Sequence, residues 1–306
     1  MIEREQSEAT RRRALSPVLQ KDEFRTLSSS VHVEIGARSR RGKGRVQNED
    51  NYLTVRLNRS QEILDTSLSK ADVPARFDEY AYAMLVADGL GHEGTGGAAS
   101  RIALSAFAHL ALHYGHWNIR VDGDTAAGII ERAQRIYERV NDEVLKQGRL
   151  HSELWGMSST LTAAISTGDD LFIAHIGHSR AYSFRNGELA KLTVDHTLEE
   201  VMVTAPGPQP LTRGTQDLRH ILTDTIGSRS GLEEIEIEHF RLQDGDRIML
   251  CTNGLTDAVD DERIAEVLSA RHRPSEDCDA LTELAIENGT DDDVTVVLAD
   301  YKIPRI

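Results

Sequence analysis

Three groups of carboxylates stand where predicted strands begin or end, namely Glu49-Asp50, Asp88-Gly89 and Asp291-Asp292-Asp293. Carboxylate and carbonyl oxygens are the ligands that hard divalent cations prefer in proteins. Like charges that converge at one place repel each other unless cations neutralise them, so convergence of the three groups would imply bound metal. The same spacing would also arise from three unrelated acidic loops, and Asp-Gly by itself is a common turn dipeptide.

The elements around these carboxylates are predicted from hydrophobic periodicity. Val31, Val33 and Ile35 alternate with polar residues, as do Leu53, Val55 and Leu57, which predicts two strands. Residues 58–79 are polar and contain a proline, which predicts a long loop. The apolar run over residues 80–87 predicts a buried strand that ends at Asp88.

Two helices are predicted in the middle of the chain. A glycine-rich turn over residues 94–97 precedes apolar residues at three- and four-residue spacing between Ile102 and Ala111. A second apolar stripe runs from Ile129 to Leu145, with Asp124 as the predicted N-cap and Gly148 past the predicted end.

The rest of the chain is richer in strands. Short β-like runs are found at 161–167, 171–177, 181–185, 235–240, 247–252 and 294–301. Helical patterns return only at 261–268 and 279–287. Because strands and helices are grouped rather than strictly alternating, the order indicates antiparallel sheets covered by helices.

Three parts of the chain are predicted from composition. Residues 1–30 mix charge and serine without a sustained period, which predicts a mobile tail. Residues 31–306 form the predicted folded domain. Within it, residues 197–227 contain three prolines and predict a flap that follows a short helix.

A set of short motifs in a fixed order carries a resemblance to a known family. The motifs are RVQNED at 45–50, VADGLG at 86–91, GMSST at 156–160, IGHSRAY at 176–182, LTVDH at 192–196, DGD at 244–246, LCTNGL at 250–255 and DDVTV at 292–296. Together they resemble the type 2C metal-dependent protein serine/threonine phosphatases, of the bacterial type. The resemblance covers about residues 31–301.

The resemblance implies an α+β fold, a four-layer α/β/β/α sandwich in which helix pairs flank two central antiparallel β-sheets. It also implies a metal-dependent hydrolase that removes phosphate from phosphoserine and phosphothreonine in proteins, with two Mn²⁺ or Mg²⁺ ions as cofactors. A phosphorylated protein and the pathway of a serine/threonine kinase are then the expected partners in signalling.

Site residues follow from the matching positions, still as expectations of the resemblance. Glu49, Asp88 and the Gly89 carbonyl would hold one metal, and Asp88, Asn253 and Asp292 would hold the other. Asp50 matches a carboxylate that contacts metal-bound water. Arg45 matches the arginine that binds the substrate phosphate, a task to which a planar guanidinium is suited.

Two positions depart from the family pattern. The family motif GDSR reads GHSR at 177–180, and SDG reads TNG at 252–254, so His178 and Asn253 replace aspartates. Since these aspartates hold a third, weaker metal in bacterial-type members, we expect weaker core metal binding and no ordinary third site. Manganese dependence, a proton-transfer role for His178, and a merely hydrogen-bonded His178 remain alternatives.

The leaving group has no assigned proton donor. Some eukaryotic-type members carry a histidine two residues after the equivalent of Asp88, where this chain has Leu90. His92 lies nearby in sequence and is a candidate donor, although loop histidines near clefts are often incidental.

Bulk properties exclude several classes. The net charge is −15, and such acidity disfavours binding to nucleic acid and anionic lipid. Cys251 and Cys278 have no CxxC spacing, so neither a disulfide framework nor a thiolate zinc site is predicted. No apolar run is long enough to span a bilayer, and a cytoplasmic location without membrane contact is predicted.

Two alternatives to the phosphatase remain at this point. His178 and Asn253 are compatible with a degenerate, non-catalytic domain that binds a phosphoprotein or a regulatory partner. A metal hydrolase for a small phosphate ester would use the same site and differ only in substrate.

Overall fold

The computed structural model describes residues 27–68, 76–92, 94–114, 123–204, 215–232 and 235–304. The strands of this part of the chain are β1 His32–Arg40, β2 Asn51–Glu62, β3 Arg76–Ala87, β4 Gly89–Leu90, β5 Ser158–Ser159, β6 Leu161–Thr167, β7 Asp170–Ile176, β8 Arg180–Arg185, β9 Glu188–Lys191, β10 Glu236–Arg241, β11 Arg247–Cys251 and β12 Val294–Lys302. The helices are α1 Gly96–Tyr114, α2 Gly123–Leu150, α3 Leu198–Thr204, α4 Asn253–Thr256, α5 Asp261–Ser269 and α6 Pro274–Glu287. Short 3₁₀ segments lie at Leu27–Ser29, Ser152–Leu154 and Thr215–His220.

Two five-stranded antiparallel sheets form the centre, in the orders β1-β12-β11-β8-β9 and β10-β7-β6-β3-β2. Helices α1 and α2 cover the second sheet through an apolar cluster that includes Leu85, Phe107 and Tyr137. Helices α5 and α6 cover the first sheet through a cluster that includes Leu281. A third cluster, which includes Met84, fills the space between the sheets. The four-layer α/β/β/α sandwich that the resemblance implies is therefore confirmed.

Strand pairing explains why the carboxylate groups meet. Asn51 at the start of β2 pairs with Ala87 at the end of β3, so residues 49–50 and Asp88 lie at the same end of one sheet. In the other sheet Cys251 pairs with Val296, which brings the residues after β11 next to those before β12. Since antiparallel neighbours begin and end at the same edge, residues distant in sequence converge.

The predicted loop over 58–79 is shorter in the structure. Strand β2 continues to Glu62 and β3 begins at Arg76, with Arg59 paired opposite Glu79. The last five residues of β2 are exposed, and β2 is the edge strand of its sheet. An edge strand with exposed faces carries no apolar alternation, so its periodicity is not visible in the sequence.

The predicted ends of helix α2 were wrong. The helix begins at Gly123, so Asp124 lies inside it, and it continues through Gly148 to Leu150. A Cβ atom at Gly148 would lie 3.2 Å from the carbonyl oxygen of Leu154. The glycine thus allows the following segment to pack closely against the helix instead of ending it.

Two shorter elements also differ from the sequence prediction. Strand β9 was not predicted, although Asn186 and Gly187 both adopt positive φ (52° and 90°) and join it to β8 in a hairpin. Such an Asn-Gly pair is a strong hairpin signal. Helix α6 begins at Pro274 rather than at Asp279, and proline is well tolerated in the first helical turn.

Residues 1–26 of the predicted tail lie outside the described residues. Of its last residues, Ser28 is buried within the 3₁₀ turn Leu27–Ser29. Of the predicted flap, helix α3 and the turn Thr215–His220 are described, whereas residues 205–214 are not. Among the helices described, none is both long enough and apolar enough to cross a bilayer.

Candidate metal centre

Asp88 directly follows β3 and is buried, with 4% of its surface exposed. Its backbone N–H donates to the hydroxyl of Thr160 at 2.9 Å, and its carbonyl accepts from the N–H of Thr160 at 2.9 Å. Burial raises the pKa of the Asp88 carboxyl well above its usual value, and the nearby charges of Asp50 and Asp292 raise it further. Asp88 is therefore placed firmly at a point where negative charge is unfavourable without a cation.

Gly89 lies where no side chain fits. A Cβ atom there would lie 2.0 Å from the carbonyl oxygen of Gly96 and 2.9 Å from that of Glu49. The start of α1 therefore packs directly on the Asp-Gly pair, and the Gly89 backbone remains close to the carboxylates.

Glu49 is buried beside the start of α1. One of its carboxylate oxygens accepts from the N–H of Gly97 at 3.3 Å, and its carbonyl accepts from the Ser100 hydroxyl at 2.5 Å. The positive end of a helix macrodipole favours a carboxylate at this position. These contacts hold Glu49 within the same cluster as Asp88.

Asp50 links the two sheets. Its Oδ2 atom accepts from the hydroxyls of Thr252 and Thr295, each at 2.8 Å. Its Oδ1 atom is buried and has no hydrogen-bond partner among the described residues. Burial raises the pKa of Asp50 to about 7, against the opposing effect of the two hydroxyls.

Asp292 and Asp293 are neighbours in sequence but differ in their contacts. Asp293 accepts from the N–H groups of Gly42 and Glu49 at 2.9 Å and 2.7 Å, so both of its oxygens bind backbone. Asp292 accepts from Arg45 at 2.5 Å and from the Asn253 amide at 3.3 Å. In the acidic run before β12, Asp292 thus contacts side chains of the cluster, whereas Asp293 bonds the backbone of the loop between β1 and β2.

Arg45 stands at the rim of the cluster, and its side chain is 38% exposed. Its guanidinium bonds Asp292 and lies 3.6 Å from Glu49. Although partial burial disfavours its charge, the carboxylate of Asp292 keeps the pKa of Arg45 above its ordinary value. The structure therefore brings Arg45 to the carboxylates and leaves part of its side chain exposed to solvent.

The two departures from the family pattern also lie in this cluster. Asn253 donates its amide to Asp257 at 3.0 Å, while its Oδ1 atom is buried without a described partner. The Nε2 atom of His178 lies 3.9 Å from Asp88 Oδ2, and its Nδ1 atom likewise has no partner among the described residues. Burial lowers the pKa of His178, so the ring is neutral near pH 7 although Asp257 and Asp292 oppose this effect.

His92 is exposed in the turn before α1, where its carbonyl accepts from the N–H of Thr95 at 3.1 Å. No described contact joins its ring to Asp88 or Asp292. The structure brings His178, and not His92, to the carboxylates.

The donors fit a hard divalent cation. The oxygens come from Glu49, Asp88, Asp292, the Gly89 carbonyl and the Asn253 amide, and such a set suits Mn²⁺ or Mg²⁺. The unpartnered Oδ1 atom of Asn253 is of particular weight, since buried polar atoms normally have a partner. A cavity of about 740 Å³ opens beside one of these donors, Asp292, and Arg45, His220 and Asp257 also line it.

Sequence reasoning missed a second polar group near this centre. A ring nitrogen of His175, a ring nitrogen of His196 and a carboxylate oxygen of Glu236 all lie within 4.8 Å of one another. Glu236 pairs with His175 across β10 and β7, and His196 follows β9. Strand register creates this proximity, so spacing along the chain carried no signal for it.

Known proteins are similar to this chain in sequence. The sequence profile of the family Protein phosphatase 2C matches residues 72–286. The chain is 32% identical over 223 residues to the serine/threonine protein phosphatase PstP of Mycobacterium tuberculosis, which covers 72% of this chain and 41% of PstP. It is 28% identical over 222 residues to the serine/threonine phosphatase stp of Listeria monocytogenes, which covers 72% of this chain and 85% of that protein.

Solved structures of protein phosphatases have a similar fold. The catalytic domain of PstP, solved in complex with two manganese ions, superposes with a TM-score of 0.66 at 29% identity, over 89% of this chain and 99% of that domain. The S. agalactiae serine/threonine phosphatase, at 24% identity and a TM-score of 0.69, shares the fold. With the profile match covering more than half of the sequence, the chain belongs to the protein phosphatase 2C family.

Proposed function

We propose that this chain is a metal-dependent phosphoprotein phosphatase that hydrolyses phosphoserine and phosphothreonine with an activated water molecule. Two Mn²⁺ or Mg²⁺ ions are the proposed cofactors. Relatives named serine/threonine phosphatases and the two-manganese complex of the PstP catalytic domain support the proposal. Because the chain spans only 41% of PstP, the activity of the full-length relative is not carried over without a test.

The observation that carries the proposal is the excess of negative charge around Asp88, which Arg45 offsets only in part. Burial raises the pKa of Asp88, and the nearby charges of Asp50 and Asp292 raise it further. Such a group would be destabilising if ionised in the protein alone. Divalent cations would relieve the repulsion, lower the pKa of a water molecule and neutralise charge on a phosphate ester.

Each residue then has a role that follows from its position. Asp88 would hold both ions, Glu49 and the Gly89 carbonyl one of them, and Asn253 and Asp292 the other. Asp50, whose Oδ1 atom has no described partner, would accept a proton from a water molecule and orient it.

Arg45 would bind the substrate phosphate. Its guanidinium is partly exposed beside the cavity and is already held by Asp292. A guanidinium has five N–H donors, so it can keep one bond to Asp292 and present a second pair to phosphate oxygens. Arg45 would thus position the phosphoryl group next to the carboxylate cluster.

The proposal extends to the third metal position, which we expect to lack an ordinary ion. His178 and Asn253 present a neutral nitrogen and an amide oxygen where the family has carboxylates, and His178 is neutral because it is buried. A cytoplasmic phosphoprotein, phosphorylated by a serine/threonine kinase, is the proposed partner.

The direct test is turnover of p-nitrophenyl phosphate and of a phosphothreonine peptide by the purified chain, with Mn²⁺ or Mg²⁺ titrated. We expect metal-dependent release of phosphate from both, and its loss in Asp88→Asn. The matched control is Asp170→Asn, because Asp170 is equally buried but lies at the far end of β7, where it bonds His239.

Background turnover at every metal concentration would contradict the proposal. If the phosphopeptide still bound, the non-catalytic binding domain would be the correct interpretation. Turnover of p-nitrophenyl phosphate alone would instead favour a hydrolase for small phosphate esters.

A further inference from the structure

The turn between β7 and β8 carries His178 into the metal centre, and two histidines hold this turn. The N–H of Gly177 donates to Nδ1 of His196 at 3.2 Å. The carbonyl of Gly177 accepts from the backbone N–H of His196 at 2.7 Å and lies 3.1 Å from Nε2 of His175. The N–H of Gly177 therefore bonds His196, and its carbonyl bonds both histidines.

The same turn is linked to Asp88 through the Thr160 side chain. Gly177 adopts φ 108°, and a Cβ atom there would lie 2.6 Å from the Thr160 side chain. The Thr160 hydroxyl is 2.7 Å from the Ser179 hydroxyl and accepts from the N–H of Asp88 at 2.9 Å. A continuous path of contacts thus joins His196, through the turn and Thr160, to the backbone of Asp88.

The hydrogen bonds also show what the group of His175, His196 and Glu236 does. A backbone N–H can only donate, so Nδ1 of His196 uses its lone pair to accept from Gly177. A carbonyl can only accept, so Nε2 of His175 carries the proton. Nδ1 of His175 lies 2.8 Å from the Thr162 hydroxyl, and Glu236 accepts from the N–H of Val194 at 2.8 Å.

A metal ion bound to either ring nitrogen of His175, to Nδ1 of His196 or to Oε2 of Glu236 would therefore displace a hydrogen bond. That distinguishes the group from the Asp88 cluster, where buried atoms such as Asn253 Oδ1 have no described partner. The group is consequently a hydrogen-bond network that supports the turn.

We propose that His196 is a positioning residue of the metal centre, which acts by holding Gly177 and thereby placing His178 and Asp88. The inference rests on the metal-dependent function proposed above, since the ligand that it places is Asp88. In this role His196 would bind neither the substrate nor the metal. Its effect passes through the turn to the ligands.

The test compares His196→Ala with His196→Asn. Alanine removes the acceptor for the Gly177 N–H, whereas the amide oxygen of asparagine can occupy a place close to that of Nδ1. We expect His196→Ala to weaken Mn²⁺ binding by about tenfold, the lower end of the range for direct partners of metal ligands, because His196 acts on Asp88 through the turn. His196→Asn should restore most of the affinity, as measured by calorimetry on the full chain.

Two further measurements separate positioning from a general loss of stability. Amide hydrogen exchange in His196→Ala should rise at Asp88 and Gly177 and stay unchanged at Asp170. At saturating Mn²⁺ the kcat should recover, because the defect lies in metal affinity. The matched control is His239→Ala, since His239 lies on β10 and bonds Asp170 but does not touch the turn.

Unchanged Mn²⁺ affinity and exchange in a folded His196→Ala would overturn the proposal, as would an equal loss in His239→Ala. Mn²⁺ binding that persists in Asp88→Asn and disappears in the double variant Asp88→Asn/His196→Asn would also overturn it, because the histidine group would then be a metal site. If the unsubstituted chain bound Mn²⁺ without turnover, the proposed function would fail while the comparison of affinities still decided the role of His196. If it bound no Mn²⁺, the exchange measurement would decide it.

Discussion

Two polar groups adjoin the β7–β8 turn, and they differ in how their charges and hydrogen bonds are balanced. Around Asp88, burial and neighbouring carboxylates raise the pKa of Asp88 and of Asp50, and buried atoms of Asp50, Asn253 and His178 have no described partner. In the group of His175 and His196, the ring nitrogens nearest the turn each face a backbone or hydroxyl partner. The difference teaches that buried charges and polar atoms without partners indicate a site for a bound ligand. Polar groups whose hydrogen bonds are made within the protein indicate a structural role.

The largest effect should come from Asp88→Asn. If Asp88 bridges two ions, its loss should weaken Mn²⁺ binding by more than about 100-fold, since even partners that only orient a metal ligand matter by 10–100-fold. Calorimetry with Mn²⁺ measures this. Glu236→Gln, which removes a carboxylate charge from the other group, should leave the affinity unchanged, and an equal loss in both variants would break the comparison.

Asn253→Asp should have the opposite effect on Mn²⁺ affinity. The new carboxylate adds one negative charge next to Asp292, so Mn²⁺ affinity should rise by about tenfold, because ligand charge tunes the affinity of such sites. The same change should lower the melting temperature of the metal-free protein, since Asp257 and Asp292 would repel the new charge. Titration calorimetry and thermal unfolding in EDTA measure the two effects, and a fall in affinity would show that Asn253 is not a ligand.

The metal-free protein should lose stability as the pH rises towards neutrality. Burial raises the pKa of Asp50 from 3.8 to about 7, so the folded state binds a proton that the unfolded chain has released within this window. The contribution is complete below the unfolded pKa and is lost as the pH passes about 7. The stabilisation by Mn²⁺ should therefore be larger at about pH 8 than at about pH 6, because the ion favours the ionised carboxylate.

Thermal unfolding with and without Mn²⁺ across this range tests the prediction. Asp50→Asn should weaken the pH dependence of the metal-free protein, and the remainder is expected from Asp88, whose pKa burial also raises. An undiminished dependence in that variant would show that Asp50 is not its source.

The smallest effect should come from Thr295→Val, which removes one of the two hydroxyls that donate to Asp50. The loss of this hydrogen bond should lower the free energy of unfolding by about 1–2 kcal/mol, measured by denaturant titration. Thr282→Val is the control, because Thr282 is equally buried but donates to a carbonyl within α6. Both variants should lose stability, and only Thr295→Val should alter Mn²⁺ affinity.

Much of the fold could be predicted because its strands are buried on one or both faces. The run over 161–167 coincides with β6, and the run that ends at Ala87 places Asp88 correctly at a strand end. The exposed half of β2 and the short strand β9 were missed, since solvent-exposed edges carry little apolar periodicity. The end of α2 was misplaced because Gly148 serves close packing rather than a turn.

The sequence by itself determined the family, through the order of its motifs, and it determined that carboxylates stand at the ends of strands. Only the tertiary structure decided which of them contact side chains of the metal centre and which bind the backbone. Asp292 and Asp293 are identical and adjacent in the chain, yet Asp293 is satisfied by the backbone of Gly42 and Glu49, while Asp292 faces Arg45 and Asn253. The physical reason is that hydrogen-bond partners come from antiparallel neighbours distant in sequence, and a sequence pattern does not contain their register.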